Sequence, residues 1–596
     1  MADSQSPLAV SVVFVPNIRV DRGMGHLRRC LAAAASAGQQ AAVYFAADAE
    51  FTGGRPIFER SVVQNMAAAA GVTLLDRWPQ GPAPVVVADL QECGLAAFRF
   101  LSSRAVSLIG WDAGGKARSR FPYLIDSLPH DTKPSPNLRL PGLLGLSPPS
   151  SDRFDRSIKK VLAVFGGADP AGLTPRFLSM VRRLQNSGRW TYTLTVIRGP
   201  LSNLPSFPGV GVVDAPSDLL RLLREADLVV TSWGLTALES LSVGTPVLLF
   251  NPTPYHQKLA KKAGLPSFGV KHPSSKKFLS GVLRAPAAAR TAAGKFLEPP
   301  VEAGRYFAGF QGSDGVCPVC RTQGHPVFAR TVHKSYHRCR VCGMEYLSVH
   351  QLPPKVYSQA YFFEDYQKQY GKTYLDDFDH IRDVGSQRLA YLEAHCGKRD
   401  HRRILDVGCA YGPFLAAAAR LGHLPFGLDI AEDAVRYVRE TLKFQAASAS
   451  FLDFSWEQAF PGQAYPDTVT LWYVIEHFPD LEAVLRKASG LLPLGGILAF
   501  STPNGKGITR RFKPSKFWRE SPDDHFSIWN PRNASRVLGR FGFKVEAVRI
   551  TGRHPERFPG LKKPSGFLYS VIAVLDRCFG WGDTFEVYAR KVKELP

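Results

Sequence analysis

The sequence predicts an α/β protein in which a helix-covered parallel sheet is built three times, with a small metal-binding segment ahead of the third. Three observations carry that prediction. Short apolar runs alternate with helical stretches through the first three hundred residues and again from about residue 401, the pattern of parallel strands joined by crossover helices. Two strand-to-helix junctions are glycine turns, in VVFVPNIRVDRGMGHLRRC near the start and in RRILDVGCAYGPFLAAAARLGHLPFGLDI near residue 400. Between them, Cys317, Cys320, Cys339 and Cys342 form two Cys-x2-Cys pairs separated by eighteen residues.

Length and composition bound the rest. At 596 residues the chain has room for about four domains, each with its own core. Hydrophobic residues at 45% and aromatics at 11% place it among folded globular proteins. A membrane-spanning helix needs about 18 apolar residues, and the best run, Phe567 to Leu575, is half that. Asp3 and the lack of a basic region make Leu8–Val15 a first strand rather than an export signal. Nine cysteines, four in metal spacing, fit a reducing cytoplasm. A formal charge of +23 points to anionic partners, and nucleotide sugars, RNA and acidic lipid headgroups all qualify. The cluster Arg510, Arg511, Lys513, Lys516 and Arg519 suits any of these, and equally a solvated loop. Peripheral membrane contact stays open.

In chain order, SVVFV, AAVYFA and PVVVA are strands of a first lobe, with an Ala-rich helix after His26. A Pro-rich break, LPGLLGLSPPSSD near 140–152, ends it. VLAVF, TYTLTVI, DLVVT and PVLLF then build a second lobe, with a helix after Trp233. Ligands in open α/β sheets lie beyond the carboxyl ends of strands, so two such lobes make a cleft. The expected organisation is a first lobe at 1–143, a second at 144–300, a linker at 301–316, a cysteine segment at 317–350, a Tyr-rich helical connector at 351–400 and a third α/β domain at 401–596.

In that last domain ILDVGCAYG is a strand and a glycine turn opening a helix. Gly408 permits close approach by a ligand and Gly412 lets the helix start near it. Asp429 follows Gly408 by 21 residues, at the end of FGLDI, where a carboxylate can bind both ribose hydroxyls of a nucleoside cofactor. A nicotinamide site uses the same geometry, so this pattern is ambiguous by itself. Leu452–Asp453 follows the third strand, where an adenine contact is expected. VTLWYVIEHFPDLEAVLRKASGLLPLGGILAFSTPN then supplies a strand, Glu476–His477, a helix and a Leu-Pro-Leu-Gly-Gly turn. With HFSIWNPRNASRVLGRFGFKVEAV and DTFEVYARK, residues 401–596 resemble the class I S-adenosylmethionine-dependent methyltransferases, whose domain is Rossmann-like. Ala410 stands where many relatives have glycine, and alanine still fits a close turn. The resemblance implies S-adenosylmethionine as cofactor, held around Asp406, Gly408, Gly412, Asp429 and Asp453. The upstream Cys-x-x-Cys, RCRVCGMEYL and Tyr361–Phe362 are similar to sugar methyltransferases with an N-terminal zinc-binding segment, which implies a sugar or glycan acceptor. The sulfonium methyl is already activated, so the protein must align an in-line attack and remove a proton. His477 is the first base candidate, with His525 and Glu476 behind it. The plainer alternative has His477 anchoring the strand end.

The cysteine spacing is a zinc-ribbon signal. Four thiolates on two knuckles complete a closed tetrahedral site with no open position, so the expected role of zinc is structural. His333 and His337 are expected as loop residues rather than ligands.

In the front half, GMGHLRRCLAAAASAG, with Gly23, Gly25 and His26, resembles the glycine–histidine loop of the UDP-sugar hydrolase of the pseudaminic acid pathway. Glycosyltransferases of the two-lobed GT-B fold are similar. AVFGGADPAGLTP and ADLVVTSWGLTALESLSVGTPVLLF, followed by His256–Gln257, extend the resemblance over about residues 8–265. It implies a nucleotide sugar, UDP-linked, held by Gly25, Gly166, Gly167, Gly234, Thr236, Glu239 and Gln257. Amides at the Gly234–Thr236 helix start would hold the diphosphate, Glu239 the ribose, and His26 would act as general base. Trp233, bulky where relatives are small, is expected to reshape the uracil or phosphate pocket.

The combined reading is a bifunctional cytoplasmic enzyme of nucleotide-sugar or surface-glycan biosynthesis, a UDP-sugar hydrolase or glycosyltransferase fused to a sugar methyltransferase. One alternative is a zinc-ribbon RNA methyltransferase. Against it, the fourth strand carries Trp-Tyr-Val-Ile-Glu-His rather than an Asn-Pro-Pro-Tyr adenine clamp, and no module for a flipped base is visible. The other alternative is a front half that only binds a nucleotide sugar.

Overall fold

The computed structural model describes residues 10–22, 24–129, 132–150, 153–167, 169–199, 209–214, 216, 218–313, 315–352, 371–559 and 566–595. Gly23, Tyr361, Phe362 and most of the expected Tyr-rich helix lie outside the described residues. The chain divides into two compact units, Met1–Asp314 and Gly315–Pro596.

The first unit holds two seven-stranded sheets. One contains β1 (Val12–Pro16), β2 (Ala41–Tyr44), β3 (Thr73–Leu75), β4 (Ala83–Asp89), β5 (Ala105–Trp111), β6 (Tyr123–Asp126) and β7 (Leu138–Arg139). They pair in parallel in the order β3-β2-β1-β4-β5-β6-β7. The other contains β8 (Lys160–Ala163), β9 (Thr193–Arg198), β10 (Gly211–Asp214), β11 (Leu228–Thr231), β12 (Val247–Asn251), β13 (Ser267–Val270) and β14 (His272–Pro273). Its order, β10-β9-β8-β11-β12-β13-β14, repeats the first, with only the last pair antiparallel. The seven apolar runs read from the sequence supply β1, β2, β4, β8, β9, β11 and β12. Such strands are apolar throughout because helices cover both faces; Val12, Val13, Phe14 and Val15 are wholly buried. In each sheet the order reverses at the first strand, which opens a crevice at the carboxyl ends there.

Residues 301–316, expected as a linker, contain the helix Ala303–Ala308, which packs on the first sheet. Phe307 lies edge-on to Phe14 at 5.8 Å and tilted against Trp111 at 5.3 Å. The approach is close enough to require glycine, since a β-carbon at Gly304 would lie 2.1 Å from the Ala33 carbonyl oxygen. Proline, alanine and glycine read as linker composition, yet here they are the small residues of a tight helix crossing.

The second unit is built on β18 (Arg403–Val407), β19 (Leu424–Asp429), β20 (Gln445–Ser448), β21 (Thr468–Trp472), β22 (Ile497–Pro503), β24 (Phe543–Thr551) and β25 (Thr584–Lys591). The order is β20-β19-β18-β21-β22-β25-β24, with β25 antiparallel to both its neighbours. A smaller antiparallel sheet joins β15 (Val327–Arg330), β16 (Lys334–Arg338) and β17 (Glu345–Val349) to β23 (Ser527–Ile528). The cysteine segment therefore shares a sheet with residues nearly two hundred positions later. The helix Phe378–Cys396, expected in a connector, belongs to the same body. Its Gly385 packs against Phe414 and Ala417, and its buried Arg388 donates to Glu586 at 2.9 Å.

Candidate functional site

In the second unit the crevice opens at the carboxyl ends of β18 and β21. Gly408 follows β18 with φ +73°, and a β-carbon there would lie 2.4 Å from Val474 Cγ2. Only glycine fits, for conformation and for space. Gly412 caps the helix Pro413–Arg420. Between them Ala410 is held at φ +47°, a left-handed conformation costing alanine about 1 kcal/mol. That strain aims the Ala410 amide at Asp429, whose Oδ2 accepts from it at 2.8 Å while Oδ1 accepts from Ala431 N at 2.9 Å. Burial raises the Asp429 pKa against these amides. Asp406, on β18, accepts from the Thr470 hydroxyl at 2.6 Å. Burial pushes its pKa up to about 7, with the Thr470 bond and the Arg388 charge pulling the other way. Asp453 is exposed in the turn after β20.

Across the crevice Tyr473, just past β21, is also left-handed at φ +59°. The next turn buries Glu476 completely, and its Oε2 has no hydrogen-bond partner among the described residues. Burial pushes the Glu476 pKa up to about 7, against the pull of His477. His477 Nδ1 faces Asp524 Oδ2 at 3.3 Å, and its ring meets that of His525 edge-on at 4.7 Å. One ligand atom each from Glu476, His477 and His525 lies within 4.8 Å of the others. The three residues read from the sequence thus converge. Asp524 and the strained Tyr473 were not read, although Asp524 directly precedes His525. A pocket of about 170 Å³ opens beside His525, lined by Pro503, Thr509, Phe517, Pro522 and Ile528 among others.

A family profile described as a methyltransferase domain matches residues 378–548. The ubiquinone biosynthesis O-methyltransferase of Bordetella avium is 32% identical over 133 residues, 22% of this chain and 54% of the relative. That of Neisseria meningitidis serogroup C is 32% identical over 137 residues, 22% of this chain and 55% of the relative. Residues 378–548 are a class I S-adenosylmethionine-dependent methyltransferase domain. The chain spans about half the length of the curated relatives it matches. Among solved structures, an S-adenosylmethionine-dependent methyltransferase from Archaeoglobus fulgidus is 18% identical, covering 38% of this chain and 98% of that chain, with a TM-score of 0.29. The magnesium protoporphyrin IX methyltransferase of Synechocystis is 15% identical, covering 39% and 97%, with a TM-score of 0.27.

The cysteine segment packs against this methyltransferase domain. Cys317 and Cys342 Sγ are 3.5 Å apart, as are those of Cys320 and Cys339, and all four lie within 4.8 Å of one another. Tetrahedral zinc–thiolate bonds of about 2.3 Å place sulfurs about 3.8 Å apart, so the donor set fits zinc. Val341 N and Cys342 N donate to Cys339 Sγ at 3.3 and 3.4 Å, and His325 Nε2 lies 3.3 Å from the same sulfur. His325 was not singled out in the sequence. His337, expected in a loop, lies on β16, stacks on Tyr346 at 4.8 Å and bonds Ser348. His333 Nδ1 lies 3.2 Å from the His350 carbonyl oxygen. Neither is among the four thiolate donors. The segment also braces the pocket wall: Tyr336 donates to the Trp518 carbonyl at 3.0 Å, Lys334 to that of Ser521 at 2.6 Å, and Arg510 pairs with Glu345.

In the first unit, carboxylates gather at the strand ends of the first sheet. Asp89 ends β4, Asp112 follows β5 and Asp126 ends β6. His26, in the first turn of the helix Gly25–Ala37, has Nδ1 2.6 Å from Asp89 Oδ1. Arg29, one turn on, donates to both Asp89 oxygens, reaches Asp112 Oδ2 at 2.6 Å and lies over the Trp111 ring at 4.5 Å. Burial alone would raise the Asp89 pKa, but Arg29 and His26 outweigh it and hold it low.

In the second lobe, Gly234 precedes the helix Leu235–Ser242. Burial raises the Glu239 pKa, opposed by the charge of Arg28 from the first lobe and by a hydrogen bond from Thr236. The first turn of the His26 helix and the Glu239 helix therefore share one electrostatic neighbourhood. Gly166, at φ +83°, and Gly167 form the turn after β8. Gln257 points its carbonyl oxygen inward, accepting from Asn251 at 3.0 Å and Ser267 at 2.7 Å, so only its amide nitrogen is left for a ligand. Trp233, expected to crowd the ligand pocket, is instead buried in the second-lobe core, edge-on to Phe296 at 6.1 Å. Its backbone amide donates to Asn251 Oδ1 at 3.0 Å.

Proposed function

We propose that the chain is a bifunctional enzyme of nucleotide-sugar or surface-glycan biosynthesis. Its front unit, of GT-B type, cleaves or transfers a UDP-linked sugar, and its methyltransferase domain methylates a sugar-like acceptor. The observation that carries the front-unit reading is the 2.6 Å contact between His26 and Asp89, beside a second-lobe carboxylate, Glu239, that feels Arg28. With Nδ1–H donated to Asp89, Nε2 is left to take a proton from water or an acceptor hydroxyl. Amides at Gly234–Thr236 hold the departing diphosphate, Glu239 takes the ribose, and Gly25, Gly166 and Gly167 allow close approach.

In the methyltransferase domain, S-adenosylmethionine supplies an activated methyl group when bound. The Gly408 turn admits it, and each Asp429 oxygen, having accepted one amide, keeps a lone pair for a ribose hydroxyl. His477, oriented by Asp524, takes the acceptor proton, with Glu476 and His525 flanking it. Zinc on the four cysteines holds the pocket wall. The relatives' names and the apolar side chains around His525 favour a second reading, in which the acceptor is a phenolic hydroxyl.

Incubation with labelled methyl donor and panels of UDP-sugars and phenols, with and without sugar acceptors, tests these readings. UDP released without an acceptor means hydrolysis; label on a phenol alone means the second reading. His26→Ala should lower UDP release at least about 100-fold, and unchanged release rejects the base assignment. Asp429→Ala should weaken cofactor binding about 100-fold in calorimetry, the loss of hydrogen bonds to a charged acceptor. Retained binding removes Asp429 from the site.

A further inference from the structure

The helix Phe567–Phe579, with sequence FLYSVIAVLDRCF, is mostly apolar yet lies at the surface of its unit. Phe567 is 86% exposed, Phe579 64%, Val574 56% and Leu568 52%, while Ile572 is buried. Large apolar side chains exposed together on one helix mark a docking site. At 1.5 Å per residue this one is about 20 Å long, too short to cross about 30 Å of hydrocarbon.

Its surroundings identify what covers it. Phe579 stacks on Trp581 at 5.4 Å, Trp581 meets Phe512 at 5.7 Å, and Phe512 meets Phe558 at 4.7 Å. These rings join the helix to two basic segments. Residues 506–519 carry Lys506, Arg510, Arg511, Lys513, Lys516 and Arg519 and no acid, and residues 549–559 carry Arg549, Arg553 and Arg557 against Glu556 alone. Arg510, Lys516, Arg549 and Arg557 are committed to Glu345, Glu520, Glu586 and Asp583, but Lys506, Arg511, Lys513, Arg519 and Arg553 are exposed. Arg511 lies over the Trp581 ring at 5.3 Å. An apolar helix flanked by cations and an amphipathic indole is the composition of an element lying in a membrane interface.

We propose that the helix Phe567–Phe579 lies in the headgroup region of an anionic bilayer and docks the protein there. A second copy of this chain fits the apolar surface less well, because it would bring the same cations together on a molecule already at +23; an anionic bilayer complements both features. The docking element also adjoins the pocket. Asp583, two residues past Trp581, accepts from Thr509 N at 2.9 Å and from its hydroxyl at 2.6 Å, and Thr509 lines that pocket. An acceptor held at the membrane surface would thus be presented beside it.

Co-sedimentation of the full chain with phosphatidylcholine vesicles, with and without about one third phosphatidylglycerol, tests this. Binding should require the anionic lipid and fall with salt, as screening demands. The variant Phe567→Ser/Leu568→Ser/Val574→Ser should bind at least about tenfold more weakly with unchanged cofactor binding, which controls for folding. No partition of the native chain overturns the proposal, as does equal binding by the variant. A dimer in sedimentation velocity that the variant abolishes would assign the face to a second copy instead. Loss of cofactor binding in the native chain would strike the methyltransferase reading alone.

Discussion

Asp89 serves two partners at once, accepting both nitrogens of a buried guanidinium and facing the His26 imidazole. Removing its charge should separate fold from chemistry. Asp89→Asn leaves Arg29 with Asp112 as its remaining buried carboxylate partner and is expected to destabilise the front unit by about 3 kcal/mol. His26→Ala should leave the melting temperature nearly unchanged while UDP release falls; thermal melts beside UDP assays check both. Asp406 governs pH dependence. Its carboxyl is ordinarily near 3.8, and burial, opposed by Thr470 and Arg388, lifts it to about 7 in the fold. Between about pH 4 and 7 the folded domain therefore keeps a proton that the unfolded chain has lost. Stability contributed by this group is full below that window and is lost as pH rises through it, by at most roughly 1.4 kcal/mol per pH unit. Buried Glu476 acts in the same direction. Asp406→Asn should flatten the slope of urea midpoints between pH 5 and 7.5, measured without cofactor.

At the level of elements, the pairing of β17 with β23 makes the cysteine knuckles part of the pocket's scaffold. Zinc on the four thiolates would make this sheet metal-dependent: its chelation should loosen β15–β17, release β23 and the Asp524–His525 turn, and lower methyl transfer more than cofactor binding. Metal content, limited proteolysis and calorimetry on one sample check this; unchanged transfer after complete zinc loss would refute it. The strands of the large sheets were legible because helices bury both faces, leaving continuous apolar runs such as VVFV and PVVVA. Their terminal carboxylates were present in the same strings, in VVVAD, LIGWD and YLID, but a strand-end acid becomes meaningful only once neighbouring strands align. The shared small sheet had no local signal, since Tyr346 pairs with Ser527 across a separation no periodicity spans. The size of Trp233 was legible, whereas its place in the second-lobe core emerges only from the fold. Of the candidate site residues, the thiolates and the glycine turn at Gly408 were the plainest. Their chemistry dictates their spacing, whereas Asp524, Tyr473 and His325 acquire roles only through folded neighbours.

For the whole molecule, the division at residue 314 predicts that residues 1–314 and 315–596 fold when expressed separately. The back fragment should keep cofactor affinity within about threefold of the full chain, by calorimetry, and cooperative melting of each fragment checks the division. Among the described residues no helix is long and apolar enough to cross a membrane. Inside the front unit, the helix Ala303–Ala308 returns the chain to the sheet where β1 began, fixed by Gly304 against Ala33. The second lobe is consequently a clasp, hung between an outgoing and a returning strap of polypeptide. Both attachments of that lobe therefore end on one sheet, and a pull on it is borne by the first core rather than by a free linker.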